Sequence, residues 1–209
     1  MFKSFLESLE ENTKPLQSYV STFTDVLSDD ILTSFLDLVN FQNFNEKKQA
    51  SVGIDYVVDS KVRDAYFMQL PSCSKLITET ILKSVRNLLN IYINKHGFIL
   101  DNADFQSEQS FVYYENQKGY TPHVDAVTFD STKRLFTTIT YFNDNFIGGE
   151  LYFPRLNLTL PIRQNSTVIF PSNQLFIHGA RKVYGRKVIS PCWFGYEKRE
   201  KFVFPWEIG

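Results

Sequence analysis

Arg134-Leu135-Phe136-Thr137-Thr138-Ile139-Thr140-Tyr141-Phe142-Asn143-Asp144-Asn145-Phe146-Ile147-Gly148-Gly149-Glu150-Leu151-Tyr152-Phe153 is the stretch that decides the fold. Its first half is rich in β-branched and aromatic residues and predicts a strand over 134–142. Asn143-Asp144-Asn145 and Gly148-Gly149 are turn signals, and a second strand follows over 149–153. The same pattern extends outward. Further strands are expected over 110–115, 120–124, 156–162, 166–170, 175–178, 186–195 and 199–204. Between them lie turn residues such as Gln117-Lys118-Gly119, Arg163-Gln164-Asn165, Pro171-Ser172-Asn173 and Tyr184-Gly185. Many short strands at near-regular spacing predict a sandwich or jelly roll.

The first half of the chain has a different period. Ser28-Asp29-Asp30 reads as a helix start with acidic residues in the first turn, followed by Ile31, Leu32, Phe35, Leu36, Leu38 and Val39 on one face. A longer helix is expected from near Pro71-Ser72 to Lys95, with Gly97 as its stop after His96. Phe2, Phe5, Leu6 and Leu9 also follow helical spacing. The expected fold class is α+β, with a helical N-terminal layer packed on a double-stranded β-helix. One domain over 1–209 is expected, with 1–105 mainly helical support and 106–209 the β core.

Composition excludes several classes. An aromatic fraction of 16%, including 20 Phe, is too high for a disordered chain. A net charge of −1 without any long Lys/Arg run gives no support for a nucleic-acid binder. Acidic residues interrupt the apolar positions at the N-terminus, so no signal-peptide core is read there, and no stretch has the length of a membrane span. Two isolated cysteines, Cys73 and Cys192, make neither a disulfide framework nor a zinc motif and read as free thiols. A cytoplasmic location is the expectation.

Only three histidines are present, His96, His123 and His178. His123 and Asp125 stand two apart, so on a strand they would share a face. His178 follows the apolar run Leu175-Phe176-Ile177 and is expected at the end of a buried strand. Two imidazoles and one carboxylate, with open positions left over, suit non-haem Fe(II). Taken singly, His123 and Asp125 are also readable as surface residues and His178 as a hydrogen-bonded strand-end histidine. His96 is expected at a helix end, where its partial charge would suit the dipole.

From Tyr113 to Trp193 the chain resembles the prolyl 4-hydroxylase-like members of the 2-oxoglutarate/Fe(II) dioxygenases. The matching segments run in order. They are 114–125 with its tyrosine, glycine turn and His-x-Asp; 134–144; Gly148-Gly149-Glu150-Leu151-Tyr152-Phe153-Pro154; Ile169-Phe170-Pro171-Ser172 with His178-Gly179-Ala180; and Gly185-Arg186-Lys187 leading to Trp193. The resemblance implies His123, Asp125 and His178 as iron ligands. It implies Lys187 as the cation for the far carboxylate of 2-oxoglutarate, which would be costly to bury unpaired. Arg186 competes for that position, but inward Lys187 would put Ile189, Pro191 and Trp193 on one apolar face. Pro191 then implies an edge strand or a bulge. Tyr141 is the candidate hydroxyl donor to the same carboxylate, with Thr137 and Ile139 on its face. Tyr114 is the candidate tyrosine near the cosubstrate, and Tyr113 is its register alternative; for either, core packing is an equal reading.

The implied reaction takes O2 and 2-oxoglutarate, releases succinate and hydroxylates a C–H bond, with ascorbate as an accessory. The cofactor carries that chemistry, so no protein acid or base is assigned. The implied substrate is a prolyl residue of a peptide or protein. Another peptidyl residue or a small molecule stays open, as does an inactive jelly-roll binding protein, although an intact triad with Lys187 argues against the last. Nucleic-acid demethylation is disfavoured, because 187–193 lacks the Arg-rich pattern of that branch. The loop over 126–133 is expected to overhang the iron, with Phe129 either meeting a peptide or packing in the core.

Overall fold

A computed structural model describes residues 14–41, 48–50, 59–68, 70, 74–99, 105–115, 117–126 and 133–196. Several expectations fall outside these residues: the helical spacing at Phe2–Leu9, the helix start at Pro71-Ser72, Cys73, the strand at 199–204 and the placement of Phe129.

Helix α1 (Asp29–Phe41) starts where Asp29 and Asp30 can meet the positive end of its dipole. It buries Leu32, Phe35 and Val39 along one stripe. Helix α2 (Lys75–His96) buries Ile81, Val85, Leu89 and Tyr92 at the same period. It stops because Gly97 takes φ 71°, a left-handed conformation that costs glycine little. Its N–H donates to Asn94 O at 3.3 Å, and that of Phe98 to Ile93 O at 3.2 Å.

The two helices cover one face of a sheet whose strands run β1 (Ser21–Thr24), β11 (Ser166–Pro171), β7 (Arg134–Tyr141), β13 (Lys187–Tyr196), β5 (Val112–Tyr114), β3 (Tyr66–Phe67) and β2 (Lys48–Gln49). Strand β4 (Phe105–Gln109) shares the edge of β13 with β5. A smaller sheet runs β10 (Leu158–Leu160), β9 (Leu151–Phe153), β12 (His178–Tyr184) and β6 (Lys118–His123), with β8 (Ile147–Gly148) also paired to β12. The pairings are antiparallel. This is the expected α+β double-stranded β-helix.

Strand alternation divides the core in two. On β7, just past its end and on β13, Phe136, Phe142, Val188, Cys192 and Phe194 face the helices. Ile139, Tyr141 and Ile189 face the smaller sheet, where Leu151, Phe153 and Phe176 close the second core. Buried Cys192 is a free thiol whose pKa burial pushes up to about 12, so it packs as a small hydrophobe.

Three expectations are corrected. Residues 175–178 are not a strand: the Asn173 side chain accepts from Leu175 N at 3.0 Å and caps a 3-10 turn over Gln174–Phe176. His178 therefore opens a strand instead of ending one. The mainly helical N-terminal half also contributes β1, which extends the large sheet by pairing with β11. Pro191 sits in an interior strand, paired with Ile139 of β7, and is neither at an edge nor in a bulge of its own strand. Its other side faces the break between β5 and β4, where its carbonyl accepts from Ser110 N at 3.0 Å, so no partner there needs the N–H that proline lacks. His96 does not serve the α2 dipole as a cation. Burial, then Lys95 and Lys14, lower its pKa, and it packs against Tyr92 and Tyr19 with ring centroids 4.6 and 5.0 Å away.

Candidate metal centre and cosubstrate pocket

His123 ends β6 and His178 opens β12, and the two residues pair across the antiparallel ladder. Asp125 lies just past the strand in a bend anchored by Ala126 N donating to Ser172 O at 3.2 Å, not on the strand as expected. The three side chains nevertheless converge, with their ligand atoms all within 4.8 Å of one another. His123 Nε2 is 3.5 Å from Asp125 Oδ1, and His178 Nε2 is 3.6 Å from Oδ2.

The tautomers follow from the backbone. His123 Nδ1 lies 2.9 Å from Thr121 O, and His178 Nδ1 lies 3.0 Å from Phe176 O. A carbonyl only accepts, so each Nδ1 carries the proton and each Nε2 presents its lone pair. Burial, reinforced by His123 and opposed by Asp125, pushes the His178 pKa down to about 4, which leaves it neutral at physiological pH. Burial alone would raise the Asp125 pKa. The bond donated by the Thr137 hydroxyl acts against it and favours the ionised carboxylate. Two lone pairs and a carboxylate thus face one another with no proton between them, an arrangement that a divalent cation satisfies.

Thr137 Oγ1 donates to Asp125 Oδ2 at 2.7 Å and lies 2.8 Å from Ser172 Oγ. Arg134 Nη1 reaches Asp125 O at 3.4 Å, while its Nε and Nη2 hold Glu108 at 3.1 and 2.6 Å. The Arg134 guanidinium also lies 4.2 Å from the ring centroid of Trp193. The Thr137 hydroxyl, a candidate cosubstrate contact that lines the pocket, is engaged with the Asp125 carboxylate. Thr137→Val is therefore expected to lower Mn(II) affinity about 10–100-fold while the fold persists, as a titration beside circular dichroism would show.

Lys187 points inward with only 1% of its surface exposed. Its Nζ donates to Gly149 O at 2.9 Å and lies 4.5 Å from the Tyr114 ring centroid. Gly149 permits this approach: a Cβ there would stand 3.3 Å from Lys187 Cδ. Burial lowers the Lys187 pKa to about 7, against the opposing pull of Glu150. Arg186 points outward and pairs with Glu115 at 3.2 Å. Ile189, Pro191 and Trp193 line the same pocket as Lys187, together with Thr137, Ile139 and Tyr141 of β7. Tyr114 lines it too, whereas Tyr113 turns to the helix side and stacks on Tyr66 at 5.2 Å. Burial raises the pKa of both Tyr114 and Tyr141, which keeps both phenols protonated. The pocket thus holds a buried cation with a single carbonyl acceptor beside two hydroxyls, a set that fits a carboxylate.

Among the lining residues that sequence reasoning missed are Tyr120 and Arg63. Simple alternation would send Tyr120 and His123 to opposite faces. Between the pairs His178–His123 and Ala180–Tyr120, however, three residues of β6 span two steps of β12 where two would suffice. This bulge turns Tyr120 onto the His123 ring, with centroids 3.6 Å apart and planes 18° from parallel. Arg63 lies in a polar turn where the pattern offered no signal.

Residues 109–195 match the family model described as 2OG-Fe(II) oxygenase superfamily. The fold is similar to a prolyl-4-hydroxylase of Pseudomonas putida (TM-score 0.65, 18% identity, 94% of this chain and 100% of that one). It is also similar to a prolyl hydroxylase of Trichoplax adhaerens in complex with a hypoxia inducible factor peptide (TM-score 0.67, 17% identity, 92% and 93%). A third similar structure is the viral collagen prolyl hydroxylase of Paramecium bursaria Chlorella virus-1, as its 2OG complex (TM-score 0.60, 15% identity, 86% and 97%). No curated protein matches the sequence. The β core over 109–195 is thus similar to the 2OG-Fe(II) oxygenase superfamily, and the fold is prolyl 4-hydroxylase-like. It is a 2-oxoglutarate-dependent dioxygenase, an oxidoreductase that uses Fe(II) and 2-oxoglutarate. Among the described residues, no helix is long and apolar enough to cross a membrane.

Proposed function

We propose that this dioxygenase hydroxylates a prolyl residue of a peptide or protein. In this reading His123, Asp125 and His178 hold the iron, and Lys187 and Tyr141 take the far carboxylate of 2-oxoglutarate. The chain over 1–209 acts as one unit. The observation that carries the reading is the convergence of the triad beside a fully buried lysine in one pocket. When bound, iron and 2-oxoglutarate supply an oxidation that consumes O2, releases succinate and hydroxylates a C–H bond.

The protein's part is orientation and shielding. The two backbone carbonyls keep the imidazole lone pairs aimed at one point, and Thr137 keeps the carboxylate there. Ile139, Leu151 and Ile189 exclude water from the floor of the pocket. The peptide class is supported by the fold neighbours, one of which is a complex with a peptide, and by the side from which the site is reached. His123 is 18% exposed in its side chain while His178 and Asp125 are buried, so a substrate arrives past His123. Ascorbate as an accessory rests on the family resemblance. The test is a peptide panel incubated with Fe(II), 2-oxoglutarate and O2 and read for a gain of one oxygen on proline. Turnover of a free small molecule with no peptide hydroxylated would overturn the peptidyl reading and leave the dioxygenase in place.

A pH dependence follows from Lys187. Its pKa near 7 belongs to the empty pocket, and a bound carboxylate raises it. Only the protonated amine attracts the carboxylate. Affinity for 2-oxoglutarate is therefore expected to be level below pH 7 and to fall by up to about tenfold per pH unit above it, with proton uptake on binding. Calorimetry in buffers of different ionisation enthalpy measures both.

A further inference from the structure

We propose that the outer face of the small sheet is a docking groove for an acidic peptide segment of a protein partner. The groove has a volume of about 840 Å³, room for several residues of extended chain. Leu151 of β9 faces the iron pocket, so its neighbours Glu150 and Tyr152 face the other way, and they line the groove. The opposite wall is the segment 60–64. Asp64 N donates to Gly119 O at 3.0 Å and Thr121 N to Val62 O at 2.9 Å, which straps that segment along β6. The floor between the walls is bare by necessity. A Cβ at Gly119 would stand 2.8 Å from Ala180 O, and one at Gly148 would run into Lys182 O. The close approach of β6 and β8 to β12 thus excludes side chains at both positions and leaves a furrow.

The charge of the furrow comes from an irregular ladder. Between the pairs Ala180–Tyr120 and Val183–Lys118, three steps of β12 face two of β6. Ala180 lines the iron pocket and Val183 sits in the second core, so both point inward. The extra residue lets Arg181 and Lys182 both turn outward, and both are exposed. Regular alternation would have sent one of the two into the core. The Arg181 guanidinium lies 4.9 Å from the Tyr152 ring centroid, and Lys61 adds a third cation from the strap. Among the described residues, none of the three has an ion-pair partner. Of the carboxylates on the groove, Asp64 is held by Lys118 Nζ at 2.6 Å, which leaves Glu150 against three cations. A chain of net charge −1 therefore carries a locally positive furrow. Shape and charge together select the occupant. The furrow is larger than one small anion needs, and Arg181 offers the paired donors that a carboxylate accepts. Three cations are few for the phosphates of a nucleic-acid backbone, and a lipid surface is too flat to enter a furrow. The site needs neither iron nor 2-oxoglutarate.

The test titrates the full chain against fluorescein-labelled hexaglutamate and follows anisotropy. Saturable binding is expected. The Arg181→Gln/Lys182→Gln variant should weaken it at least about tenfold. Both side chains are exposed, so the fold should persist, as circular dichroism would show. Lys61→Gln, on the other wall, is expected to weaken binding about threefold and decides the matter where the double variant does not fold. Lys75→Gln, which changes an exposed lysine of α2, should leave binding as it is. No binding by the wild type, unchanged binding by either folded groove variant, or an equal loss from Lys75→Gln would each overturn the proposal. Displacement of hexaglutamate by equimolar inorganic phosphate would overturn it in favour of a small-anion site. Tighter binding of a DNA duplex or a phosphatidylserine vesicle would overturn it in favour of those partners.

Discussion

Asp125→Ala is expected to abolish useful metal binding, and with it all turnover. Asp125 is the only anion among the three proposed ligands, and it is buried. Two neutral imidazoles neither balance a dication nor occupy the third position of the face. Removing one partner of a buried charge pair costs about 3–5 kcal/mol, a loss of at least about a hundredfold in affinity. The fold should survive. Asp125 lies in a bend past β6, and the strand pairing of His123 with His178 does not depend on its side chain. Mn(II) titration followed by paramagnetic resonance, beside a thermal melt, separates loss of metal from loss of structure. A variant that retained wild-type affinity would remove Asp125 from the ligand set.

The second large effect is expected at Lys187. Lys187→Ala should weaken 2-oxoglutarate by about 3–5 kcal/mol while Mn(II) affinity stays near wild type. The Lys187 amine lies against Tyr114 and Gly149, and no hydrogen bond or ion pair joins it to the triad among the described residues. Arg186→Ala is the built-in control. Arg186 is 46% exposed in its side chain and its partner is Glu115, so its removal should cost 2-oxoglutarate affinity little. A larger loss from Arg186→Ala than from Lys187→Ala would mean that β13 runs one residue out of register.

Much of this site could be read from residue order because strands impose a period of two. Lys187 was separable from Arg186 since Ile189, Pro191 and Trp193 form an apolar face only in one register, and the structure holds that register. Tyr141, Ile139 and Thr137 emerge together for the same reason. What was illegible lay where that period fails or where contacts are distant. The bulge at Thr121-Pro122 carries Tyr120 to the pocket, against alternation. Asn173 diverts an apolar run into a 3-10 turn, which a strand pattern could not anticipate. Pro191 is tolerated by a break in a neighbouring strand pair, invisible from its own segment. Thr137 was placed in the right pocket, but its bond to Asp125 depends on how a bend meets β7. Arg63 reaches the site through a strap onto β6, and nothing in a polar turn marks one arginine as buried.

The most direct test of the central claim is succinate release from 2-oxoglutarate under O2, compared between the wild-type chain and Asp125→Ala, with and without proline-rich peptides. The expected result is succinate that requires Fe(II), rises with a substrate peptide and is absent from the variant. Wild-type release no greater than that of Asp125→Ala, in protein shown to bind one Fe(II) and 2-oxoglutarate, would contradict it.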